Sequence, residues 1–295
     1  MLDLKSNKVN DVYQWFKSGL ASVPEPREHP FICNELFFRY FGITSETRVL
    51  EPDKRLSESD IVLLVKARKR LNRGEPLQYI TGAADFLGNT FMVNPYVLIP
   101  RQETEGLVLW LAEDLKGSNQ EHRRKNRILD MGTGSGVIAV SLAALFPDYE
   151  ILACDYSEKI IDVADHNAQI NNVPVSFFLC DIMVEENVNI APGSLDLVIS
   201  NPPYVRESEK VYMSKNVLEH EPAAALFVPD DDPLLFYRQI ISKSKYWLRE
   251  GGWIYFEINE AMGGECTSML KGEGLSNILV NQDIHGKNRY IRAQK

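Results

Sequence analysis

Apolar positions across residues 1–75 fall at helical spacing. Val12, Trp15, Phe16 and Leu20 share one face, as do Ile32, Leu36, Phe37 and Tyr40, and then Ile61, Leu64, Val65, Arg68 and Leu71. Ser57 or Ser59 is placed to cap the third helix, Pro24, Pro26 and Pro30 separate the first two, and Gly74-Glu75-Pro76 ends the set. The aromatic stripe Phe31, Phe37, Phe38, Tyr40 and Phe41 reads as the core of a small helical domain. The pattern then changes. Tyr79-Ile80-Thr81-Gly82, Asp85 to Val93 and Val97-Leu98-Ile99-Pro100 read as short strands joined at Gly and Asn turns, a β-hairpin linker. From Glu103 a helix over 103–116 precedes strands at Arg127–Met131, Glu150–Asp155, Val175–Asp181 and Leu195–Ser200, with helices between them. Near-continuous apolar strands alternating with helices predict a mostly parallel α/β sheet. Residues 253–258 and 288–292 predict a closing strand pair. The expected organisation is a helical domain over 1–75, a β-hairpin linker over 76–102 and an α/β domain over 103–295, with no internal repeat.

Composition narrows the class without naming a chemistry. A chain of 295 residues, 44% hydrophobic and 25% charged, is that of an ordinary globular protein. Met1 to Lys8 contain no apolar signal-peptide core, and the longest apolar stretch, Val137 to Phe146, is too short to span a membrane. Cys33, Cys154, Cys180 and Cys266 are scattered, which predicts buried thiols and argues against a disulfide framework or a zinc site. A reducing cytoplasm and a monomer are expected. The net charge of −9 is uneven: residues 1–75 hold 13 Lys+Arg against 11 Asp+Glu, and the rest of the chain carries the acidic excess. An acidic α/β half argues against a broad nucleic-acid-binding face. The local exception is Lys66-Ala67-Arg68-Lys69-Arg70-Leu71-Asn72-Arg73, read as a solvated helix end or as a partner-docking patch.

Two motifs carry chemistry. Asn201-Pro202-Pro203-Tyr204 ends the apolar strand Leu195–Ser200. Two prolines stiffen the turn and donate no hydrogen bond, so its tip offers acceptors, the Asn201 side-chain oxygen and a backbone carbonyl, beside an aromatic ring. Such a tip suits a planar NH2 group; alone it is also compatible with a turn that has no chemistry. The second motif is Asp130-Met131-Gly132-Thr133-Gly134-Ser135-Gly136, a strand, a glycine-rich turn and a helix start. In a doubly wound fold this position binds a ligand, and an acid ending the next strand, here Asp155, commonly holds ribose hydroxyls. Asp181-Ile182 end the third strand beside the same crevice. NAD and S-adenosylmethionine both fit these marks. The Gly132-x-Gly134-x-Gly136 spacing departs from the dinucleotide G-x-G-x-x-G and favours S-adenosylmethionine. The histidines are dispersed; His220, in Glu219-His220-Glu221, reads as a loop residue, and no metal site is expected.

Together, the glycine loop, Asp155 and Asn201-Pro202-Pro203-Tyr204 resemble class I methyltransferases that act on an exocyclic or amide nitrogen. Further runs narrow the resemblance to the HemK/PrmC-type release factor glutamine methyltransferases: Gln78 to Gly82, Phe86-Leu87-Gly88, Val97 to Glu105, Glu221-Pro222-Ala223-Ala224-Ala225-Leu226 and Phe236-Tyr237-Arg238. The resemblance covers nearly the whole chain. It departs at Gln102, where the family usually has proline, and at Asn259, where glycine is common.

The resemblance implies a Rossmann-like class I methyltransferase fold with a small N-terminal helical domain and a β-hairpin linker. It implies S-adenosylmethionine held by Gly132, Thr133, Gly134, Ser135, Gly136, Asp155, Asp181, Ile182 and Asn201. It also implies methylation of the glutamine of the Gly-Gly-Gln loop of class 1 release factors at its side-chain nitrogen. In that reading Asn201 and the Pro202 carbonyl accept the amide protons, and Pro203 and Tyr204 complete the substrate site. Neither direct nucleic-acid binding nor membrane association is expected. Glutamine methylation of a ribosomal protein and N6-adenine methylation of nucleic acid are the competing readings, the latter using the same tip on a flipped base.

Overall fold

A computed structural model describes residues 4–21, 23, 25–117, 126–184 and 188–295; Met1 to Asp3 and Pro24 lie outside the described residues. The chain divides into two compact units. One comprises residues up to Ala83 together with Ser214–His220, and the other Ala84–Met213 with Glu221–Lys295.

The first unit is helical: α1 (Val9–Ser18), α2 (His29–Phe41), α3 (Ser45–Leu50), α4 (Glu58–Leu71), α5 (Leu77–Thr81) and, after the excursion through the other unit, the short helix Lys215–His220. Its core is built from Val12, Phe16, Leu20, Cys33, Leu36, Phe37 and Leu64, all completely buried. Ser57 caps α4 in a reciprocal box: Asp60 donates its N–H to the Ser57 hydroxyl at 3.2 Å, and Ser57 donates its N–H to the Asp60 carboxylate at 2.9 Å.

Two expectations fail here. The aromatic stripe is only partly core. Phe37 is buried, but Phe31 and Phe38 are 65% and 49% exposed. Residues 37, 38, 40 and 41 sit about 100° apart per position on a helix and cannot all face one way. Tyr79-Ile80-Thr81 is a helical turn rather than a strand. Thr81 donates its hydroxyl back to the Leu77 carbonyl at 3.1 Å, and Gly82 ends the turn at φ +72°.

The hairpin strands are β1 (Ala83–Phe86), which belongs to the second unit from Ala84 on, and β2 (Asn89–Met92). They are followed by α6 (Gln102–Gly117), β3 (Arg127–Met131), α7 (Val137–Leu145), β4 (Glu150–Asp155), α8 (Glu158–Ile170), β5 (Ser176–Leu179) and β6 (Leu195–Ser200). The rest of the unit is the two-residue pair β7 (Val205–Arg206) and β8 (Phe227–Val228), a helix Leu235–Trp247, β9 (Leu248–Glu257), a helix Gly263–Gly272, β10 (Ser276–Gln282) and β11 (Asn288–Gln294). Val97–Pro100, read as a strand, is instead an irregular segment that turns at Asn94, where Val97 donates its N–H to the Asn94 carbonyl at 3.1 Å. Pro95 and Pro100 remove donors that a ladder would need.

The seven-stranded sheet has the order β10-β11-β9-β6-β3-β4-β5. β9, β6, β3, β4 and β5 run parallel, and β11 runs antiparallel to both of its neighbours. The expected closing pair is thus real, with β10 added outside it. Successive residues alternate faces. Leu129 and Val198 pack under helices Leu235–Trp247 and Gly263–Gly272. Ile128, Leu197 and Ile199 pack under α6 and α7. This three-layer arrangement buries both faces, which explains why the parallel strands read as unbroken apolar runs. Strand order reverses on either side of β3, so the crevice beyond the C-terminal ends of β3, β4 and β6 is the place where such a sheet binds ligands.

Candidate active site

Every element that ends at that crevice contributes to one cavity of about 300 Å³. Its walls include Gly132, Thr133, Gly134 and Ser135 after β3, Asp155 at the end of β4, and Asp181 and Ile182 after β5. Asn201, Pro202 and Pro203 after β6 complete this part of the lining. Tyr96 to Leu98, Pro100 and Arg101 form another wall, and Pro222, Ala224 and Ala225 a third. Of the residues singled out in the sequence, Gly136 and Tyr204 stand off the wall.

Gly136 serves packing. It caps α7 at φ +82°, and a Cβ there would meet the Cβ and Cα of Ala164 at 3.1 and 3.2 Å. Only a residue without a side chain lets α8 approach this closely. The Tyr204 hydroxyl donates to Glu257 Oε1 at 2.8 Å, and its ring packs against the large apolar cluster beneath the sheet. Burial and the neighbouring Glu257 carboxylate push that phenol well above its ordinary range.

The glycine loop and Asp155 form one hydrogen-bonded piece. Gly132 and Thr133 donate their N–H groups to the Cys154 carbonyl at 2.9 and 3.0 Å. Gly134, at φ +54°, donates to Asp155 Oδ2 at 2.9 Å, and Tyr156 donates to Asp155 Oδ1 at 2.8 Å. Each carboxylate oxygen retains accepting capacity for a ligand hydroxyl. Asp130 lies below the loop, fully buried. Thr133 donates to its Oδ2 at 2.6 Å, while Oδ1 has no hydrogen-bond partner. The Ala139 backbone near the start of α7 favours its charged form, but burial dominates and raises its pKa from 3.8 to about 7. Burial, and then Asp181, raise Asp155 as well. Two acids, Asp155 and Asp181, on the wall of a largely apolar cavity fit a cationic ligand carrying a sugar.

Asn201 is held from behind. Its Nδ2 donates to the Thr104 hydroxyl at 3.0 Å, and Thr104 donates to Glu257 Oε2 at 2.7 Å. Thr104 and Glu257 are 3% and 1% exposed. Burial raises the Glu257 pKa, against the two hydroxyls that donate to it. Across the cavity mouth, Arg101 pairs with Glu221 at 2.6 Å, and Ile99 donates its N–H to the other Glu221 oxygen at 3.2 Å. Asn167 pins the hairpin to the glycine loop: Met92 donates to its Oδ1 at 2.6 Å, and its Nδ2 donates to the Met92 and Ser135 carbonyls at 2.9 and 2.8 Å.

The sequence motifs assign no role to Thr104, Glu257, Asn167, Glu221 or Asp130. A signal existed for three of them. Thr104 shares the buried face of α6 with Leu107, Val108 and Leu111, Asn167 shares that of α8 with Val163 and Ala164, and Glu257 interrupts an apolar strand. A polar residue at a core position calls for a buried partner. Among the described residues, no group of three or more His, Cys, Asp or Glu could hold a metal ion, and no helix is long and apolar enough to cross a membrane.

Residues 110–226 match the Methyltransferase small domain family, and residues 11–82 match the PrmC N-terminal domain. In structure, the chain is similar to a methyltransferase described as the hMettl16 catalytic domain in complex with a MAT2A 3′UTR hairpin, with a TM-score of 0.52 over 80% of this chain and 82% of that one. At 16% identity that likeness shows the fold alone, a Rossmann-like methyltransferase fold. Sequence relatives are much nearer. A release factor glutamine methyltransferase of Flavobacterium psychrophilum is 38% identical over 94% of this chain and 96% of its own length. One from Bacteroides thetaiotaomicron is 43% identical over 97% of this chain and its entire length. Similarity of this extent, reaching from the helical unit through the cavity to the last strand, means that the chain belongs to the release factor glutamine methyltransferase family.

Proposed function

We propose that this protein transfers a methyl group from S-adenosylmethionine to the side-chain amide nitrogen of the glutamine in the Gly-Gly-Gln motif of class 1 release factors. The observation that carries this reading is the single cavity shared by the glycine loop, Asp155 and Asn201-Pro202-Pro203. Family membership supports the substrate class.

When bound, S-adenosylmethionine supplies an electrophilic methyl group on a sulfonium. Gly132 to Ser135 are the residues to hold it, with Asp155 accepting from ribose hydroxyls and Asp181 and Ile182 flanking the base. The two acids on the cavity wall, Asp155 and Asp181, match its positive charge. Gly136 supports the loop from behind.

An amide nitrogen is a poor nucleophile because its lone pair is delocalised. Asn201 Oδ1 and the Pro202 carbonyl accept its two protons, orient the nitrogen and stabilise the positive charge that develops on it. Positioning of this kind contributes up to roughly 7–11 kcal/mol in favourable intramolecular systems, and the acceptors act as preorganised electrostatics. The methylated nitrogen is acidic enough to lose its proton to solvent, so no dedicated base is needed. Pro203 shapes the substrate side of the tip. Tyr204 acts through its bond to Glu257, holding the loop rather than reaching solvent with its hydroxyl.

Mass spectrometry of a class 1 release factor incubated with the protein and S-adenosylmethionine tests the reading. A 14 Da increment on the Gly-Gly-Gln glutamine is expected, as the mass of one added methylene. Methylation of DNA or of a ribosomal protein, with the release factor unmodified, would overturn it.

A further inference from the structure

The polar contacts behind the Asn-Pro-Pro tip settle a question that the motif leaves open: which end of the Asn201 amide faces the cavity. The two ends differ only in whether they accept or donate. Glu257 is the fixed point. Two hydroxyls reach it, Tyr204 at 2.8 Å on Oε1 and Thr104 at 2.7 Å on Oε2, and together with the nearby Arg289 they favour its ionised form, which can only accept. Each hydroxyl has one proton, so both are spent on Glu257. Thr104 Oγ1 then has only lone pairs left to offer. Its neighbour at 3.0 Å must therefore be a donor, the Nδ2 end of Asn201. The Oδ1 end is left for the cavity. Reversing the amide would set its oxygen against the Thr104 lone pairs and present N–H groups to an incoming amide N–H.

We propose that Glu257 and Thr104 are positioning residues, whose one-way hydrogen-bond chain locks Asn201 Oδ1 toward the substrate amide; the inference rests on the proposed amide-accepting role of Asn201. Thr104 comes from α6 and Glu257 from β9, whereas Asn201 follows β6. The chain thus spans three elements and has no slack: both buried members are within a few per cent of complete burial. Burying a carboxylate away from the cavity is costly unless its bonds serve some purpose. Setting the direction of one amide is such a purpose.

Four variants test it, with turnover on a release factor, S-adenosylmethionine affinity by calorimetry and thermal unfolding measured on each. Thr104→Val removes the hydroxyl while keeping the shape, Thr104→Ser keeps it, and Glu257→Gln lets the side chain donate as well as accept. The fourth is the double variant Thr104→Val/Glu257→Gln. Thr104→Val and Glu257→Gln are expected to lower kcat at least about tenfold, the scale of one lost oriented hydrogen bond, with cofactor affinity held within about threefold. Thr104→Ser should restore most of the turnover lost in Thr104→Val. The double variant should lose little more than the worse single one, because both break the same chain. Multiplicative losses in the double variant, or full turnover in folded Thr104→Val, would overturn the proposal. If Glu257→Gln does not fold, the Thr104→Val and Thr104→Ser pair decides alone. Asn201→Ala separates this inference from the reading beneath it: retained turnover there refutes the amide clamp itself, whereas lost turnover there with full turnover in Thr104→Val refutes only the chain.

Discussion

Gly134 and Asp155 are joined by a 2.9 Å hydrogen bond from the backbone N–H of the one to Oδ2 of the other. The acid at the end of β4 therefore has two duties. It offers acceptors to the cavity, and it holds the glycine loop after β3 in the shape that frames the cavity. Asp155→Ala should weaken S-adenosylmethionine binding by about 1–3 kcal/mol, the range for a lost charged hydrogen bond. Calorimetry on the folded variant checks this, and unchanged affinity would refute the assigned role.

Asn201→Ala should leave cofactor affinity within about tenfold and lower single-turnover methylation by at least about a hundredfold, as for the loss of one group that stabilises charge in a transition state. A single-turnover rate near that of the unaltered protein would count decisively against the acceptor role.

Asp130 provides a pH signature of the ligand-free protein. Its pKa is raised from 3.8 to about 7 in the folded state, chiefly by burial. Between those values the folded protein keeps a proton that the unfolded chain releases, so stability falls as pH rises through this window and stays lower above it. The contribution is on the order of a few kcal/mol at most. Asp130→Asn should flatten the decline between about pH 4 and 7 in denaturant unfolding. An identical slope in both proteins would show that Asp130 does not titrate there.

The basic cluster on α4 needs sorting before it is tested. The Arg68 guanidinium stacks 3.8 Å over the Trp15 ring and donates to the Trp15 carbonyl. Arg70 forms a two-pronged pair with Glu75 and reaches the Tyr79 carbonyl. Both are internal supports of the helical unit, whereas Lys66, Lys69 and Arg73 are exposed. If this unit docks the release factor, Lys66→Glu with Lys69→Glu should slow association several-fold at low salt, with a smaller effect as salt rises, because exposed charges steer encounter and are screened. Equal kcat/KM for both proteins at every ionic strength would remove these two residues from any docking surface.

Much of this could be read from the sequence because the elements around the crevice are locally determined. β3, β4 and β6 have the bounds that their sequence pattern predicts, since buried parallel strands are unbroken apolar runs with abrupt polar ends. The glycine loop and the Asn-Pro-Pro tip sit at two of those ends. What escaped depends on partners distant in sequence. Nothing near Glu257 announces Thr104, which precedes it by 153 positions, nor does the neighbourhood of Glu221 announce Arg101, 120 positions earlier. Asn259 shows the same blindness. In sequence it is only a departure at a strand end, yet its Nδ2 donates to the Tyr204 carbonyl at 3.3 Å and to Glu209 at 3.1 Å, tying the segment after the tip in place. Tyr79 to Thr81 misled for the opposite reason: a β-prone tripeptide is overridden by a left-handed glycine that closes a single helical turn.

The reversed strand β11 has a consequence for biosynthesis. It lies between β9 and β10, pairing Tyr290 with Glu257 on one side and Val280 with Ile291 on the other. A chain emerging from its N-terminus makes β9 and β10 first and the strand that joins them last. Until residues 288–294 arrive, Trp253 to Phe256 line an open, apolar strand edge, the kind of edge that recruits foreign strands. Glu257, at the end of that edge, must wait as well for Arg289 and Tyr290 beside it. Between the synthesis of β9 and that of β11 the nascent chain is therefore most prone to aggregate at this edge, and Glu257 behind the Asn-Pro-Pro tip acquires its full surroundings only when β11 slots into the sheet.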